Sequence, residues 1–328
     1  MFAFSISLLA KSKTSKMSLF ESDFPIIKES LKYFKISADC GCLQSMVKYA
    51  SLLSKKEEGT FDKSSLEDLF IPSNLKELKD GWCMNTSKMT HISVSQKNKN
   101  FKIIDDKLLI GKSNTNSDVF DILLFAYRDI DKVIVPSYIK HISPFCFQKC
   151  KYLKSIEFQQ NSNLQSIGKY AFSKTSIETI NIPEHCQHIK EGSFFHCKLL
   201  TRIEFEAASE MKLIDDKCFT KTQLRSIQIP DSVTRIGEEA FYECETLTSV
   251  SFSEKSKLES IGDQAFCQSS IINITIPKHV KHISRKAFYK CFYLENVDFF
   301  ENSELVSIEE ESFYETSIKS IEIPSSTK

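Results

Sequence analysis

Residues 136–183 read PSYIKHISPFCFQKCKYLKSIEF, from Pro136 to Phe158, then QQNSNLQSIGKYAFSKTSIETINIP, from Gln159 to Pro183. The two stretches are variants of one unit. Each carries an Ile, then a small residue followed by Phe, a small residue three later, and a closing alternation of apolar and polar residues. The pair recurs: Pro136, Pro183, Pro230, Pro277 and Pro324 are each 47 residues apart. One column is Phe in every unit, at Phe147, Phe172, Phe194, Phe219, Phe241, Phe266, Phe288 and Phe313, with spacings alternating 25 and 22. The residue before each Phe is small: Cys146, Ala171, Ser193, Cys218, Ala240, Ala265, Ala287 and Ser312. An upstream column is Ile throughout: Ile142, Ile167, Ile189, Ile214, Ile236, Ile261, Ile283 and Ile308. A fixed period of this kind marks a solenoid, because one unit cannot bury its own apolar edge and must stack on its neighbours.

The ends of the units have the period of a strand. In LKSIEF, Ile156 and Phe158 face one way and Ser155 and Glu157 the other. The small-Phe stretch has no such alternation and reads as a tight turn or short helical segment. One strand plus one return segment per 22–25 residues is the arithmetic of a leucine-rich-repeat solenoid. Stacking at about 4.8 Å per strand puts equal columns in register. The eight Phe rings then form a spine, each contributing roughly 1.5–3 kcal/mol on burial.

Working outward, residues 133–328 hold the regular repeats. Residues 61–95 hold a divergent first unit, carried by Pro72, Leu75, Leu78, Met89, Ile92 and Val94, with Trp82 and Cys83 where small-Phe is expected. Between them, 96–132 has two apolar runs, Phe101–Ile110 and Val119–Ala126, separated by KSNTNSD. This predicts a hairpin-bearing insertion with its loop tip at Asn114–Ser117. Residues 23–60 repeat apolar positions at helical spacing (Ile27, Leu31, Phe34; Met46, Tyr49, Leu53) around a stop at Gly41, which predicts a capping helical hairpin. Residues 1–22 read as a disordered extension. Their apolar start ends at Ala10 and lacks a basic lead, so it does not make a secretory signal.

Composition narrows the class. The chain has 328 residues, with Lys+Arg and Asp+Glu equal at 43, so no basic footprint points to nucleic acid or anionic membranes. No uninterrupted apolar stretch is long enough for a spanning helix. The 26 Phe are explained by the spine. Without a secretory signal, the 11 cysteines read as reduced thiols rather than a disulfide framework.

The unit, with its I-P, I-G and A-F-x-x-C signature, resembles the BspA-like leucine-rich repeat family; SVTRIGEEAFYECETLTSVSF (Ser232 to Phe252) is a near-ideal member. The resemblance runs from about residue 70 to the end. NFKIIDDKLLIGKS and DVFDILLFAYRDI look like the non-repetitive insertion of protist surface antigens of that family. The 23–60 hairpin resembles a Sel1-like repeat through Ala38, Gly41, Met46, Tyr49 and Ala50. The family resemblance implies non-enzymatic binding by surface adhesins or antigens, and offers no catalytic residues to carry over. The missing export signal and the thiols instead suggest an intracellular scaffold or adaptor, so the expectation is cytoplasmic by sequence and cell surface by resemblance.

Candidate chemistry is sparse. GKS at Gly111–Ser113 has Asp106 where a phosphate loop needs glycine. His185, Cys186, His188, His196 and Cys197 suggest zinc, but the repeat accounts for most of them. Cys197 belongs to the column Cys150, Cys197, Cys244, Cys291, and His188 belongs with His141 and His282. The Cys column alternates with Thr175, Thr222, Ser269 and Thr316, so its cysteines lie two coils, about 10 Å, apart, too far for disulfides. We expect no enzyme, no metal site and no cofactor. Asn85 and Asn273 stand in glycosylation triplets.

Recognition would then fall on outward strand positions. One column is Ser155, Thr179, Arg202, Ser226, Ser249, Asn273, Asn296, Ser320; the next is Glu157, Asn181, Glu204, Gln228, Ser251, Thr275, Asp298, Glu322. The candidate protein-binding face is Glu157, Asn181, Arg202, Glu204, Gln228, Asp298 and Glu322. Arg202, expected between Glu157 and Glu204, is its best local feature, and the Asn114–Ser117 loop is the rival. The expected partner is a protein of unknown identity, with no nucleic acid and no membrane insertion.

Overall fold

The computed structural model describes residues 66–325. The expected extension at 1–22 and helical hairpin at 23–60 lie outside the described residues. The chain divides into two compact units, one ending at Phe120 and one beginning at Asp121.

The second unit is a right-through stack of parallel strands. Each coil carries two strands where the sequence pointed to one. The longer ones are Lys132–Val135, Ser155–Phe158, Thr179–Ile182 and Arg202–Phe205, which form one sheet, then Ser226–Gln228, Ser249–Ser251, Asn273–Ile276 and Asn296–Phe299, which form another. The second strand of each coil spans only two residues, ending in the Ile column from His141–Ile142 to Ser307–Ile308, and these pair coil to coil behind Ile122–Ala126. Two residues cannot display alternation, so this strand leaves no periodic trace in the sequence.

The Phe rings pile along the stack. Successive centroids from Phe147 to Phe313 lie 4.9 to 5.3 Å apart with interplanar angles of 5–18°. Phe147 through Phe288 are fully buried and Phe313, at the end of the pile, is half-buried. The spacing follows from strand stacking, and the pile is held by burial plus ring contact.

The turn around each Phe has an unusual backbone. The residues two before and two after the Phe have positive φ in every coil, as at Phe145 (61°) and Lys149 (62°), or Lys286 and Lys290 (both 57°). Only Gly192 among these is glycine. Left-handed conformation costs an L-residue about 1–2 kcal/mol. Hydrogen bonds along the stack offset that cost. In the first coil, the N–H groups of Phe145, Phe147 and Lys149 donate to Lys169, Ala171 and Ser173 of the next, at 3.0, 2.8 and 2.9 Å. The same three donors recur down to Lys286, Phe288 and Lys290. All point toward the C-terminal neighbour, so the first turn has carbonyls facing the other way. Arg128, buried, meets one of them: its Nη1 donates at 2.7 Å to Cys146 O, which also accepts from Ala126 N–H at 3.2 Å, while its Nη2 donates at 3.2 Å to Phe145 O, the acceptor of Gln148 N–H within the turn, and its guanidinium lies 4.2 Å from the Phe125 centroid.

The Cys column packs inside this turn. Cys197 donates its thiol to Phe172 O at 3.0 Å and touches Thr175 Oγ1 at 3.3 Å; Cys244 with Thr222 and Cys291 with Ser269 repeat the arrangement. All cysteines among the described residues are free and buried.

The first unit repeats the turn with its bulk exchanged. Gly81 (φ 78°) and Asn85 (φ 58°) are four apart like Phe145 and Lys149, which centres the turn on Cys83. Cys83 thus occupies the Phe position and Trp82 the small one, and both are buried. Strands Asp68–Ile71 and His91–Val94 pair in parallel, and Phe101–Ile104 pairs antiparallel with Leu108–Gly111. The hairpin therefore spans the first apolar run and ends one residue past it, at Gly111. It turns at Asp105 and Asp106, both at positive φ (49° and 53°), with Lys107 N–H donating to Ile104 O at 3.2 Å. Asn114–Ser117 is not its tip but a loop after its second strand. Two aspartates that tolerate left-handed backbone decide the turn, and they stand inside what reads as one apolar stretch.

Candidate functional site

The outward positions of the long strands present the expected columns. Thr179 pairs with Ser155 and Arg202, and Asn181 with Glu204, so equal columns stand side by side. Along each strand the alternating apolar residues (Ile156, Ile180, Ile203, Ile227) are buried beneath, which leaves the polar partners exposed.

The face is interrupted once. Arg202–Phe205 and Ser226–Gln228 belong to separate sheets and share no ladder. Arg225 N–H reaches Thr201 O at 3.4 Å on one side of the opening, and Ser232 Oγ donates to Ser209 O at 2.8 Å on the other. Between them is a cleft of about 760 Å³ whose walls include Asn181, Arg202, Glu204, Glu206, Gln228 and Asp231. Half-buried Phe205 supplies apolar surface, and Ile203, Ile227 and Ile229 lie buried beneath the cleft. One guanidinium stands against three carboxylates, so the cleft is polar with an acidic excess. Arg202 and Glu204 are joined in an ion pair along their own strand. Asp231 accepts from Ser253 Oγ at 2.5 Å, and Glu206 accepts from Glu184 N–H at 3.1 Å, which fixes both carboxylates.

Four of the expected face residues, Asn181, Arg202, Glu204 and Gln228, meet in this cleft. The other three do not. Glu157 does not flank Arg202, because a whole coil stands between them; it pairs instead with Lys132 at 3.1 Å. Asp298 lies on Asn296–Phe299 and Glu322 beyond the last strand, both exposed. Glu206, Ser209 and Asp231 complete the walls and went unseen in the sequence. They lie past the strand ends, and Ser226 follows Arg202 at the same spacing at which Thr179 follows Ser155, so the repeat gives no sign of an opening.

The remaining titratable groups are absorbed by the stack. The His185–Cys197 cluster is pulled apart: Cys186 and Cys197 are buried, while His185 lies 3.2 Å from Glu210 and 3.3 Å from Glu184. Burial holds the His196 and His141 imidazoles below the usual histidine range. Burial pushes the thiols of Cys197, Cys244 and Cys291 up to about 11, against the smaller opposing pull of their hydroxyl partners. Tyr170 is raised to about 12 by burial and by neighbouring Glu191, whose Oε1 accepts its hydroxyl at 3.2 Å. Among the described residues no three His, Cys, Asp or Glu side chains form a metal-ligating group, and no helix is long and apolar enough to cross a membrane.

Compared with known proteins, the sequence matches the profile described as BspA type leucine rich repeat region in 6 copies, over residues 18–115, 121–212 and 212–328. The chain belongs to this family. The first of the matched segments takes in the stretch read as a Sel1-like hairpin. Among solved structures, a leucine-rich repeat protein from Eubacterium ventriosum aligns at 21% identity and TM-score 0.60, covering 81% of this chain and 62% of its own. The pneumococcal vaccine antigen PcpA aligns at 20% identity and TM-score 0.45, covering 83% and 63%. The Treponema pallidum leucine-rich repeat protein aligns at 20% identity and TM-score 0.41, covering 60% and 81%. The chain thus spans under two thirds of the length of the first two. At these identities the likeness to the Eubacterium protein speaks to the fold. No curated protein matches the chain. In this solenoid the inward side chains are spent on stacking, and what it offers outward is an extended sheet face.

Proposed function

We propose that this BspA-type chain is a non-enzymatic binding module that engages a protein partner through the sheet face at the Asn181–Asp231 cleft. The observation that carries this is the opened ladder between Arg202–Phe205 and Ser226–Gln228. There a continuous solvated face gives way to a concavity with an apolar floor, fixed carboxylates and one arginine. Concave sites with convergent polar groups over apolar surface are where recognition concentrates. The acidic excess favours a partner segment carrying lysine or arginine.

Within that reading we place the protein at the cell surface, as an antigen or adhesin. The support is the family resemblance. The intracellular scaffold is the second reading, favoured by nine buried free cysteines among the described residues. Protease treatment of intact cells separates them: loss of the protein supports display, and protection supports the scaffold. For the site, capture of partners by the full chain is compared with Arg202→Ala and with Glu206→Gln/Asp231→Asn. Loss of the captured partner is expected in Glu206→Gln/Asp231→Asn, whereas Arg202→Ala, which frees Glu204 and deepens the acidic excess, should keep or strengthen it. Retention in both would overturn the cleft as the binding site.

A further inference from the structure

The first unit holds a second concavity, of about 820 Å³, built from three separate segments: 73–76, 97–100 and 112–120. Its charged lining is Lys76, Lys97, Lys99 and Lys112 against a lone carboxylate, Asp118. In a chain with equal numbers of acids and bases, four ammonium groups around one cavity is a local excess. Its neutral lining is amide and hydroxyl, including Asn74, Asn100, Asn116 and Thr115.

The concavity is open to solvent, with Lys76, Lys97 and Lys99 exposed around it, but its segments are tied together. Asn98 staples two of its segments: Nδ2 donates to Pro72 O at 2.6 Å and to Leu75 O at 3.1 Å, while Oδ1 accepts from the N–H groups of Asn100 and Phe101 at 2.7 and 3.0 Å. The third segment is braced by Asn114 Oδ1 accepting from Asn116 N–H at 2.9 Å. Lys112 extends from the end of the hairpin with its side chain only 6% exposed. Its ammonium lies 3.5 Å from Asp118, whose carboxylate is fully in solvent, and 5.0 Å from the Phe120 centroid. A buried ammonium facing a solvated carboxylate is poorly compensated, because water competes for that carboxylate. The face of Phe120 is taken up by Lys112 and by Lys102 at 4.5 Å, so the ring serves the cations rather than offering a platform for a nucleobase.

We propose that this cavity is a binding site for an acidic saccharide, a sugar bearing sulfate or carboxylate groups. Lysines supply point charges to the oxyanions, and the amides and hydroxyls supply the donors and acceptors that sugar hydroxyls require. The volume fits a ligand of several rings better than a single inorganic anion. The site uses none of the residues of the Asn181–Asp231 cleft.

The test is titration calorimetry of the full chain with a sulfated tetrasaccharide free of carboxylates, its desulfated and therefore neutral counterpart, inorganic sulfate, inorganic phosphate and a nucleoside diphosphate. The variants are Lys97→Gln/Lys99→Gln, which changes exposed side chains and leaves folding intact, Lys112→Gln, and Lys255→Gln/Lys257→Gln as a charge-matched control on the other unit. The sulfated sugar is expected to bind wild type and control equally. The Lys97/Lys99 variant, which removes two ammonium groups, and Lys112→Gln, which removes one, should each bind about tenfold or more weakly, since a single charge-assisted hydrogen bond is worth about that much. Equal binding by the Lys97/Lys99 variant, equal weakening in the control, equal binding of the desulfated sugar, or tighter binding of inorganic sulfate, phosphate or the nucleotide would each overturn the assignment.

Discussion

Phe219→Ala tests the ring pile at its middle. Phe219 is fully buried, with Phe194 5.3 Å away on one side and Phe241 5.2 Å away on the other. Losing the ring forfeits roughly 1.5–3 kcal/mol of transfer free energy. Two ring contacts are worth about 0.5–1.5 kcal/mol each beyond area. Partial collapse recovers some of this, so the net cost should be about 3–5 kcal/mol. Phe313 is half-buried with one neighbour in the pile, Phe288, so Phe313→Ala should cost about half as much. Exposed Gln228→Ala should stay within about 0.5 kcal/mol. Urea unfolding followed by far-ultraviolet circular dichroism reads the solenoid. Fluorescence of the single tryptophan, Trp82, reads the first unit separately. Equal midpoints for Phe219→Ala and Gln228→Ala, or a Phe313→Ala cost matching that of Phe219→Ala, would refute the stacking account.

Three further outcomes follow from the same packing. Arg128→Met strips the first turn of a charged donor to two buried carbonyls and should lower stability by about 2–4 kcal/mol, with Arg128→Lys recovering little because an ammonium cannot span both acceptors; full stability of Arg128→Met in urea unfolding would contradict the capping role. Gly168→Ala places a methyl 2.5 Å from Pro144 N and 2.7 Å from Ile142 O and should cost about 1–3 kcal/mol, whereas Ser143→Ala, in the same column, should be tolerated; thermal melts compare them. Cys197, Cys244 and Cys291, raised to about 11, should resist an aromatic disulfide reagent at pH 8 until the protein unfolds. Their folded pKa values exceed the unfolded value of 9.0, so the stability they add is fully present below pH 9 and drains away as pH rises toward 11; rapid native labelling at pH 8 would show them exposed.

The Ile and Phe columns were legible because each is restated eight times at a fixed period, and stacking turns equal sequence positions into neighbours in space. The same logic read the Cys column as packing thiols. It also set Trp82 and Cys83 at the small and Phe positions of the first unit, the same placement that the backbone angles at Gly81 and Asn85 give. Left-handed turns occupied by Lys, Glu, Gln and Tyr carry no glycine signal. Their conformation is imposed by hydrogen bonds to the next coil, an energy that does not exist until coils stack. The cleft arises where one ladder fails to close between coils of ordinary spacing, and four expected face residues fell beside it because they stand in the two outward columns, not because their sequence announced a site. The lysine cavity gathers residues 73–76, 97–100 and 112–120 through the Asn98 staple. Repetition is a local property and can be read along the chain; a cavity is a property of segments distant in sequence, and only folding brings them to face one another.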